Sequence, residues 1–339
     1  MAHKRAARPV TAFAPLERCW PLKYYVIFNP QSGTALKSGL TAGRLEDAFS
    51  ASGMEALVDC QEGSLDERIE RALQADPDII VCAGGDGTAT AIVQRIVGKG
   101  KPLALIPLGT ANLLARDLSI PLSVDEAIGQ LRNMVPIEID VADVNGRIFL
   151  HSVTVGLIPA IAAARERVRG ASVGAFLGFA RYMIRRLNNA RRTAVAIASR
   201  DTEDRIERVH AIVVANNAYD QGWGKVFTRS CLSAGVLSLY VLRRLRASDV
   251  LRLGAKMVVG SWQDDEALTA ESVRSVTLRS KRTRLSVMID GETATLDTPL
   301  NFSVRPRALQ IVAPAPSAKP SEEIRLEDRP SVGSALRPA

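Results

Sequence analysis

The sequence of 339 residues has few cysteines and few aromatic residues. Its four cysteines, Cys19, Cys60, Cys82 and Cys231, are scattered without paired spacing. This spacing argues against a zinc site or a disulfide framework and is expected of a protein in a reducing compartment. Aromatic residues make up 5% of the chain, and no nucleic-acid-binding motif accompanies the basic residues, so we expect no nucleic-acid partner.

The sequence also lacks long apolar runs. None reaches the roughly 18 to 20 residues that a membrane-spanning helix needs. The basic start, residues 1–9, is not followed by the apolar core of a signal peptide. We therefore expect no signal peptide, no transmembrane helix, and a cytoplasmic protein whose membrane contact is peripheral, at the inner face.

The positive charge is concentrated in one region. The net charge is +8, and residues 161–195 contain eight arginines and a single acid. Within 173–187 the apolar residues recur at helical spacing, with Arg181, Arg185 and Arg186 on the flanks or the far side. This pattern is compatible with a helix at an anionic bilayer surface. A helix packed on the protein with a solvated polar face is the alternative.

The first part of the chain alternates between strand and helix patterns. After a basic lead at 1–20, which we expect to be disordered, this rhythm extends over 21–138 and predicts an α/β domain with a parallel sheet covered on both faces. The predicted strands are 23–29, 56–60, 78–83 and 103–106, and the predicted helices are 40–52, 65–74 and 88–97.

The rhythm changes over 139–313, where short strands are separated by polar or glycine turns. This pattern predicts a mostly antiparallel β-sandwich domain, followed by a disordered tail at 314–339 that is rich in proline, serine and charge. The predicted strands are 138–144, 147–155, 193–199, 208–215, 237–242, 275–278, 285–289 and 300–304, and the helical interruptions are 157–190 and 247–260.

Three glycine-containing loops each follow a predicted strand of the α/β domain. Because the carboxyl ends of parallel strands lie along one edge of a sheet, the loops should converge on one crevice. Glycine lets backbone N–H groups approach a phosphate closely. The loops are Asn29-Pro30-Gln31-Ser32-Gly33, Gly84-Gly85-Asp86-Gly87-Thr88 and Pro107-Leu108-Gly109-Thr110-Ala111-Asn112.

One acid stands inside these loops. Phosphoryl transfer needs a divalent metal on the phosphates, and an acid must hold that metal. Asp86, between two glycines, is our candidate for Mg²⁺ bound through the nucleotide. A lone glycine pair after a strand is more often just a turn, but three such loops at strand ends favour a phosphate site. The loops are not a P-loop, because its lysine and spacing are absent.

Taken in order, these loops resemble the three nucleotide-loop motifs of the diacylglycerol kinase catalytic-domain family. That family includes bacterial lipid kinases, sphingosine kinases and ceramide kinases. The similar runs are Val26–Gly33, Gly84–Thr88 and Pro107–Arg116, and Met288–Glu292 resembles the family's Asp-Gly-Glu turn. The resemblance covers about residues 22–313.

The resemblance implies an N-terminal α/β nucleotide-binding domain, similar to that of NAD kinases, and a C-terminal antiparallel β-sandwich. The active site would lie in the cleft between them. There an ATP- and Mg²⁺-dependent kinase would phosphorylate diacylglycerol or a related lipid alcohol at the membrane surface, and a homodimer is left open. The implied nucleotide-binding residues are Asn29, Pro30, Gln31, Ser32, Gly33, Gly84, Gly85, Asp86, Gly87, Thr88, Gly109, Thr110 and Asn112.

The resemblance also assigns the general base to the Asp290/Glu292 turn. A carboxylate that is unprotonated near neutral pH can accept the proton of the lipid hydroxyl. We favour Glu292 as the proton acceptor, and Asp290 stays the alternative. Without the upstream motifs, a plain Asp-Gly hairpin would be the better interpretation of this turn.

The sequence departs from the family pattern in two places. Many bacterial members continue Gly-Gly-Asp-Gly-Thr with a hydrophobic residue, Asn and Glu, where this chain has Ala89, Thr90 and Ala91. The helix therefore loses a polar pair near the nucleotide. Many members also carry an Asp-Asp-Gly turn whose second acid binds a structural Mg²⁺. Ala234 replaces that acid, so we expect this accessory metal site to be absent or weak.

Two alternative functions are kept. NAD kinases also carry Gly-Gly-Asp-Gly, so an NAD kinase-like enzyme is one of them. The other is a non-catalytic module that binds nucleotide or anionic lipid. The first and third loops favour the lipid kinases over NAD kinases, and the presence of Asp86, Asp290 and Glu292 favours catalysis. No residue that we identified fixes which lipid is the acceptor.

Overall fold

The structure is a computed structural model that describes residues 22–156, 185, 192–199, 201, 203–223, 227–244 and 246–315. The predicted lead at 1–20, all of the predicted tail beyond residue 315 and nearly all of the segment 157–190 lie outside the described residues. Of the helices that are described, none is long and apolar enough to cross a membrane.

The chain begins with an α/β unit in which four parallel strands lie in the order β2-β1-β3-β4. Strands β3 and β4 are buried from end to end, and β1 is buried after Lys23, as expected for a parallel sheet with both faces covered. The elements are β1 Lys23–Phe28, α1 Gly33–Ser38, α2 Ala42–Ala51, β2 Glu55–Asp59, α3 Leu65–Gln74, β3 Ile79–Gly84, α4 Asp86–Ile96, β4 Leu103–Pro107, α5 Leu113–Asp117 and α6 Val124–Leu131.

Local interactions explain where two of these helices begin. Helix α3 starts at a capping box, in which the Ser64 hydroxyl accepts from the N–H of Glu67 and the Glu67 carboxylate accepts from the N–H of Ser64. Helix α4 starts at Asp86, two residues earlier than predicted, because Gly85 has extended dihedral angles and acts as its N-cap. Asp86 and Gly87 therefore belong to the first turn of a helix.

The rest of the chain is mainly antiparallel. One sheet has the strand order β12-β11-β10-β7-β14-β15 and packs against strands β5, β8, β13 and β16, with one apolar core between the two layers. The elements are β5 Val135–Val144, β6 Arg147–Phe149, β7 Ser152–Gly156, β8 Thr193–Ser199, β9 Arg205–Val209, β10 Ala211–Asn216, β11 Leu237–Leu242, α7 Ala247–Val259, β12 Leu268–Val273, β13 Ser275–Arg279, β14 Arg284–Ile289, β15 Glu292–Asp297 and β16 Leu300–Ala313.

The last strand joins the two parts. The beginning of β16 pairs with β13, and its end pairs in parallel with β4, with Ile311 opposite Leu103. Strand β5 runs across residues 138 and 139, where we divided the domains, and pairs along β16 with a bulge between Arg305 and Leu309. A single continuous sheet thus links the α/β unit to the sandwich.

A buried ion pair also links them. Asp117, at the end of α5, accepts from Nε and Nη2 of Arg229 at 2.9 and 2.6 Å and from its backbone N–H at 3.0 Å. The other guanidinium nitrogen, Nη1, donates to the carbonyl oxygens of Leu150 and Asn216, each at 2.7 Å. The Arg229 and Asp117 side chains are 0% and 3% exposed, so each charge depends on the other.

We predict that Asp117→Asn destabilises the fold by about 3 to 5 kcal/mol, because it leaves the Arg229 charge buried and unpaired. The measurement is chemical denaturation followed by circular dichroism. Asp125→Asn, at an exposed acid of α6, is the matched control and should shift the free energy of unfolding by about 0.5 kcal/mol or less. Equal shifts for the two variants would show that the ion pair does not support the fold.

Candidate functional site

The three glycine-containing loops meet at the carboxyl edge of the parallel sheet. The N–H of Thr34, after the first loop, donates to the carbonyl of Leu108 in the third at 2.8 Å. The N–H of Leu108 in turn donates to the carbonyl of Gly84 in the second at 2.9 Å. Backbone hydrogen bonds thus join the loops into one surface, in agreement with the predicted convergence of the three loops.

The glycines allow this contact. A Cβ on Gly109 would lie 2.7 Å from the Cα of Gly85, and a Cβ on Gly33 would lie 3.0 Å from Oγ1 of Thr110. Atoms as close as the first pair would force the second and third loops apart. A larger residue at position 109 is therefore incompatible with this packing of the loops, and one at position 33 would have to displace the Thr110 side chain.

Polar side chains surround this junction. Asn29 Nδ2 donates to Thr88 Oγ1 at 3.0 Å, which ties the first loop to the first helical turn of α4. Asn112 adopts a left-handed conformation, and its side-chain oxygen accepts from the N–H of Gly109 at 2.8 Å. The Ser32 hydroxyl is buried and has no hydrogen-bond partner among the described residues. Within the described part of the chain, the Ser32 hydroxyl is thus left available as a donor at the junction of the loops. Two further predicted residues, Pro30 and Gln31, lie exposed at the rim.

Asp86 lies between the second loop and α5. Its Oδ1 faces the N–H of Leu114 at 3.4 Å, at the start of α5. Burial raises the pKa of Asp86, and backbone N–H groups at Asn112, Leu113 and Leu114 oppose that rise. No group of three or more acidic, histidine or cysteine side chains that could hold a metal ion is present in the part of the chain that the structure describes.

The turn between β14 and β15 divides its two acids between different environments. Asp290 and Gly291 have φ values of 46° and 93°, as in the two-residue turns that close antiparallel hairpins. Asp290 is half-buried, and its carboxylate accepts from three consecutive backbone N–H groups, those of Leu150, His151 and Ser152, at 2.7, 2.9 and 2.9 Å. Burial raises the pKa of Asp290, and the three N–H groups counteract the rise.

These bonds explain a difference from the predicted strand 147–155. The structure divides it into β6 and β7, because residues 150–152 turn their N–H groups toward Asp290. Asp290 also accepts from the hydroxyl of Thr90 on α4 at 3.3 Å. The hairpin turn is thereby attached to the helix that begins at Asp86.

Glu292 is exposed, and its Oε1 lies 2.7 Å from the position that a Cβ on Gly87 would occupy. The structure therefore brings the Asp-Gly-Glu turn against the Gly-Gly-Asp-Gly loop, although about 200 residues separate them in the sequence. The Glu292 carboxylate of the sandwich thus faces the first turn of α4 in the α/β unit.

A cavity of about 520 Å³ opens beside Glu292. Its walls come from α4, from the turn between β5 and β6 and from the hairpin turn of β14 and β15. Two residues at which the sequence departs from the family pattern, Thr90 and Ala91, lie in the α4 wall, and Arg147 lies in the opposite wall. The small side chain of Ala91 leaves space at this wall.

Several residues of the site were not predicted. Gln94 accepts from the N–H of Ile148 at 2.7 Å and donates to the Gly146 carbonyl at 3.3 Å, which fixes one wall of the cavity. Arg229 and His151 also support the site without having been singled out. The sequence offers no spacing signal for any of them, because their partners lie far away in the chain.

The other predicted surfaces are described only in part. Arg181 and Arg186 lie outside the described residues, and Arg185 is exposed. At the expected position of the accessory metal turn, the N–H of Ala234 donates to Asn217 at 3.2 Å and the N–H of Gly235 donates to Asp140 at 2.6 Å. The absence or weakness of that metal site stays a prediction.

Comparison with known proteins identifies the family. A model of the diacylglycerol kinase catalytic domain matches residues 23–144, and one of the YegS C-terminal NAD kinase beta sandwich-like domain matches residues 152–313. Together they span most of the chain, which belongs to the diacylglycerol kinase catalytic-domain family of lipid kinases. The family and the fold class predicted from the sequence are confirmed.

The individual relatives have low sequence identity to this chain, but the similarity extends over most of its length. A Pseudomonas syringae pv. tomato protein named "Probable lipid kinase YegS-like" is 26% identical over 263 residues, 76% of this chain and 83% of that protein. A Bacillus subtilis (strain 168) diacylglycerol kinase is 24% identical over 272 residues, 79% of this chain and 88% of that protein. The crystal structure of a Bacillus anthracis str. Sterne diacylglycerol kinase has a TM-score of 0.62 at 17% identity, covering 86% of this chain and 97% of that chain, and supports the fold.

We predict that Gly109→Ala weakens binding of a fluorescent ATP analogue about tenfold or more, because the added Cβ displaces the second loop. Titration of the analogue by fluorescence measures the dissociation constant. Gly129→Ala in α6 is the control, since no atom lies within 4 Å of its added Cβ. Unchanged affinity in Gly109→Ala would contradict a nucleotide site at these loops.

We predict that the stability of the fold decreases in mild acid partly through His151. Burial is the main reason that its pKa is lowered to about 3, with Arg229 adding to the effect. Between pH 7 and pH 5 the unfolded chain, with an ordinary histidine pKa of about 6.5, takes up a proton that the folded chain does not, which costs roughly 2 kcal/mol.

The measurement is the free energy of unfolding of the wild type and of His151→Gln at both pH values. The variant should lose roughly 2 kcal/mol less than the wild type over this interval, since glutamine does not titrate. Parallel losses in the two proteins would refute the assignment to His151.

Proposed function

We propose that this protein transfers the γ-phosphate of ATP to a lipid hydroxyl, in the cleft between the glycine-containing loops and the turn that carries Glu292. The observation that carries the proposal is the position of the Glu292 carboxylate against Gly87. A proton acceptor from the sandwich thereby faces the loop to which a phosphate donor would bind. Phosphoryl transfer depends mainly on such positioning and on charge stabilisation.

The loops fit the phosphates of a nucleotide. The close approach of Gly85 and Gly109 leaves backbone without side chains at the crevice, and the buried Ser32 hydroxyl has no partner there among the described residues. The amino end of α4 adds the partial positive charge of a helix terminus. These groups would hold the phosphates and leave the γ-phosphate toward Glu292.

Asp86 is the residue that would hold Mg²⁺. Kinase sites commonly bind this ion through one or two carboxylates together with substrate phosphates and water, so one acid at the phosphate loop is compatible with it. The bound ion would neutralise charge on the phosphates. The N–H groups at the start of α5 fix the Asp86 carboxylate for this role.

We assign the proton acceptor to Glu292 and a positioning role to Asp290. Both Asp290 oxygens already accept backbone N–H groups, and the residue is half-buried. Glu292 is exposed and free to reach a hydroxyl in the cavity. Asp290 would hold the turn so that Glu292 faces the phosphate loop.

The acceptor would enter through the cavity beside Glu292. Its wall combines the small Ala91 with Ile148 and Ile289, which suits an alcohol attached to an apolar body. Diacylglycerol or a related lipid alcohol, presented at the inner face of a membrane, is the acceptor class that family membership favours. The cytoplasmic, membrane-peripheral location is part of this proposal.

We predict that Glu292→Gln lowers kcat about 10² to 10⁴-fold, because the amide cannot accept the hydroxyl proton. Transfer of labelled phosphate from ATP to lipids in mixed micelles measures the rate. Affinity for the fluorescent ATP analogue should stay within about twofold of the wild type, since the residue lies outside the loops. A kcat close to that of the wild type would remove Glu292 from the mechanism.

The same assay separates the alternative functions. The wild type is offered a panel of diacylglycerol, sphingosine and ceramide, and NAD in a parallel reaction. Phosphorylation of a lipid that disappears in Asp86→Ala supports the proposal. Phosphorylation of NAD alone would identify an NAD kinase-like enzyme, and nucleotide binding without any transfer would identify a non-catalytic module.

A further inference from the structure

Helix α7 turns an apolar face toward solvent. Leu251, Val258 and Val259 are 76%, 50% and 60% exposed, whereas Leu253 and Asp249 on the other side are buried. We call this surface the α7 face. It consists of Val250, Leu251, Gly254, Ala255, Val258 and Val259, all exposed and none of them polar.

An exposed tryptophan extends the α7 face. The backbone of Gly222 touches that of Gly260 at the end of α7, since a Cβ on Gly260 would lie 2.3 Å from the carbonyl carbon of Gly222. Trp223 follows Gly222 and is 81% exposed. Trp223 is therefore next in the chain to a residue that touches the carboxyl end of α7.

Ion pairs fix the helix in this orientation. Asp249 accepts from the N–H of Arg246 at 2.9 Å at the start of α7. Arg252 binds both oxygens of the buried Asp265 at 2.8 Å, and Lys256 lies 3.2 Å from the same carboxylate. Asp249, Arg252 and Lys256 thus bind groups of the protein, and the apolar side of α7 faces outward.

The charge around the α7 face identifies its partner. From Arg243 to Gly260 the chain carries five basic residues and a single acid, the buried Asp249, and three of the basic residues are paired with acids elsewhere, Arg243 with Glu207 and Arg252 and Lys256 with Asp265. Arg244 and Arg246, at the amino end of α7, are exposed and are the basic residues that border the face. An apolar helix face with arginine and lysine along its borders binds the surface of an anionic bilayer. Tryptophan is the residue most typical of the boundary between lipid and water.

The α7 face is also connected to the proposed catalytic turn. Trp262 follows α7, and its ring lies 5.3 Å from that of Tyr240, which stacks on Tyr219 at 5.6 Å. The Tyr219 hydroxyl lies 3.1 Å from Nδ1 of His151, and the backbone N–H of His151 donates to Asp290. One buried aromatic cluster thus lies between the helix and the turn.

We propose that the α7 face and Trp223 form the surface that docks this protein on an anionic lipid bilayer. The residues on the face enter the apolar boundary of the bilayer, and Arg244 and Arg246 contact the lipid phosphates. If this surface also delivers a lipid acceptor to the enzyme, that role rests on the proposed function. Its residues are distinct from the predicted lipid-facing arginines at 181–186.

The test compares Leu251→Glu with Ile206→Glu. Ile206 is 78% exposed on β9, outside the α7 face, and serves as the matched control. Sedimentation with vesicles of phosphatidylcholine and phosphatidylglycerol measures the partition of each protein, and vesicles of phosphatidylcholine alone measure the contribution of charge. Leu251→Glu should bind the mixed vesicles about tenfold more weakly than the wild type, and Ile206→Glu should bind like the wild type. Equal binding of the two variants would overturn the proposal.

Tryptophan fluorescence tests the same contact, first in the wild-type protein. Mixed vesicles should shift wild-type tryptophan emission to shorter wavelength, and Trp223→Phe should remove that shift. If the wild type forms dimers that Leu251→Glu dissociates, while vesicle binding is unchanged, the α7 face is an interface between copies of the chain and the proposal is wrong.

Activity separates this inference from the proposed function. Leu251→Glu should phosphorylate a dispersed short-chain diacylglycerol at the wild-type rate and lose activity on vesicles. If the wild type phosphorylates no lipid but binds mixed vesicles through Leu251, the proposed function fails and the docking surface stands.

Discussion

The site depends on the hydrogen bonds that the Asp290 carboxylate accepts. A carboxylate shielded from water is stable only if its oxygens are satisfied, and here three consecutive N–H groups at residues 150–152 do this. The same bonds interrupt the strand between β6 and β7 and hold the hairpin turn in place. Glu292 can therefore stay exposed and still have a defined position against Gly87.

The segment that holds Asp290 is itself held from the other side. The carbonyl of Leu150 accepts from Arg229, whose charge is paired with Asp117 at the end of α5. The beginning of α5 contacts the carboxylate of Asp86. A short helix thus has the proposed metal ligand at one end and, through a buried ion pair, the support of the proposed catalytic turn at the other. Hydrogen bonds and one ion pair therefore connect the two halves of the cleft.

The sequence was sufficient for the parts of the fold that depend on local pattern. Strands β3 and β4 are apolar runs within a few residues of their predicted bounds, because full burial requires such runs. The start of α4 was missed, since Gly85 and Asp86 favour a turn by propensity, and the loop packing makes them a helix start.

The supporting residues could not have been predicted in the same way. Arg229 and Asp117 are 112 residues apart, and Thr90 and Asp290 are 200 apart. No periodicity relates such pairs, and an arginine in a loop is normally exposed. The glycine-containing loops were visible because each follows a strand directly, whereas the environment of Asp290 depends on a hydrogen-bond set that only the folded chain assembles.

Several of the few aromatic residues lie between the cleft and the proposed docking surface. Four of them, Tyr219, Phe227, Tyr240 and Trp262, pack together between α7 and His151. Such rings bury a large apolar area, and the Tyr219 hydroxyl still finds a polar partner in the cluster. The cluster fills the side of the sandwich next to the proposed catalytic turn, while the apolar side chains of α7 lie on the outside. Because Arg252 and Lys256 are paired with the buried Asp265, the fold itself sets the exposure of the α7 face.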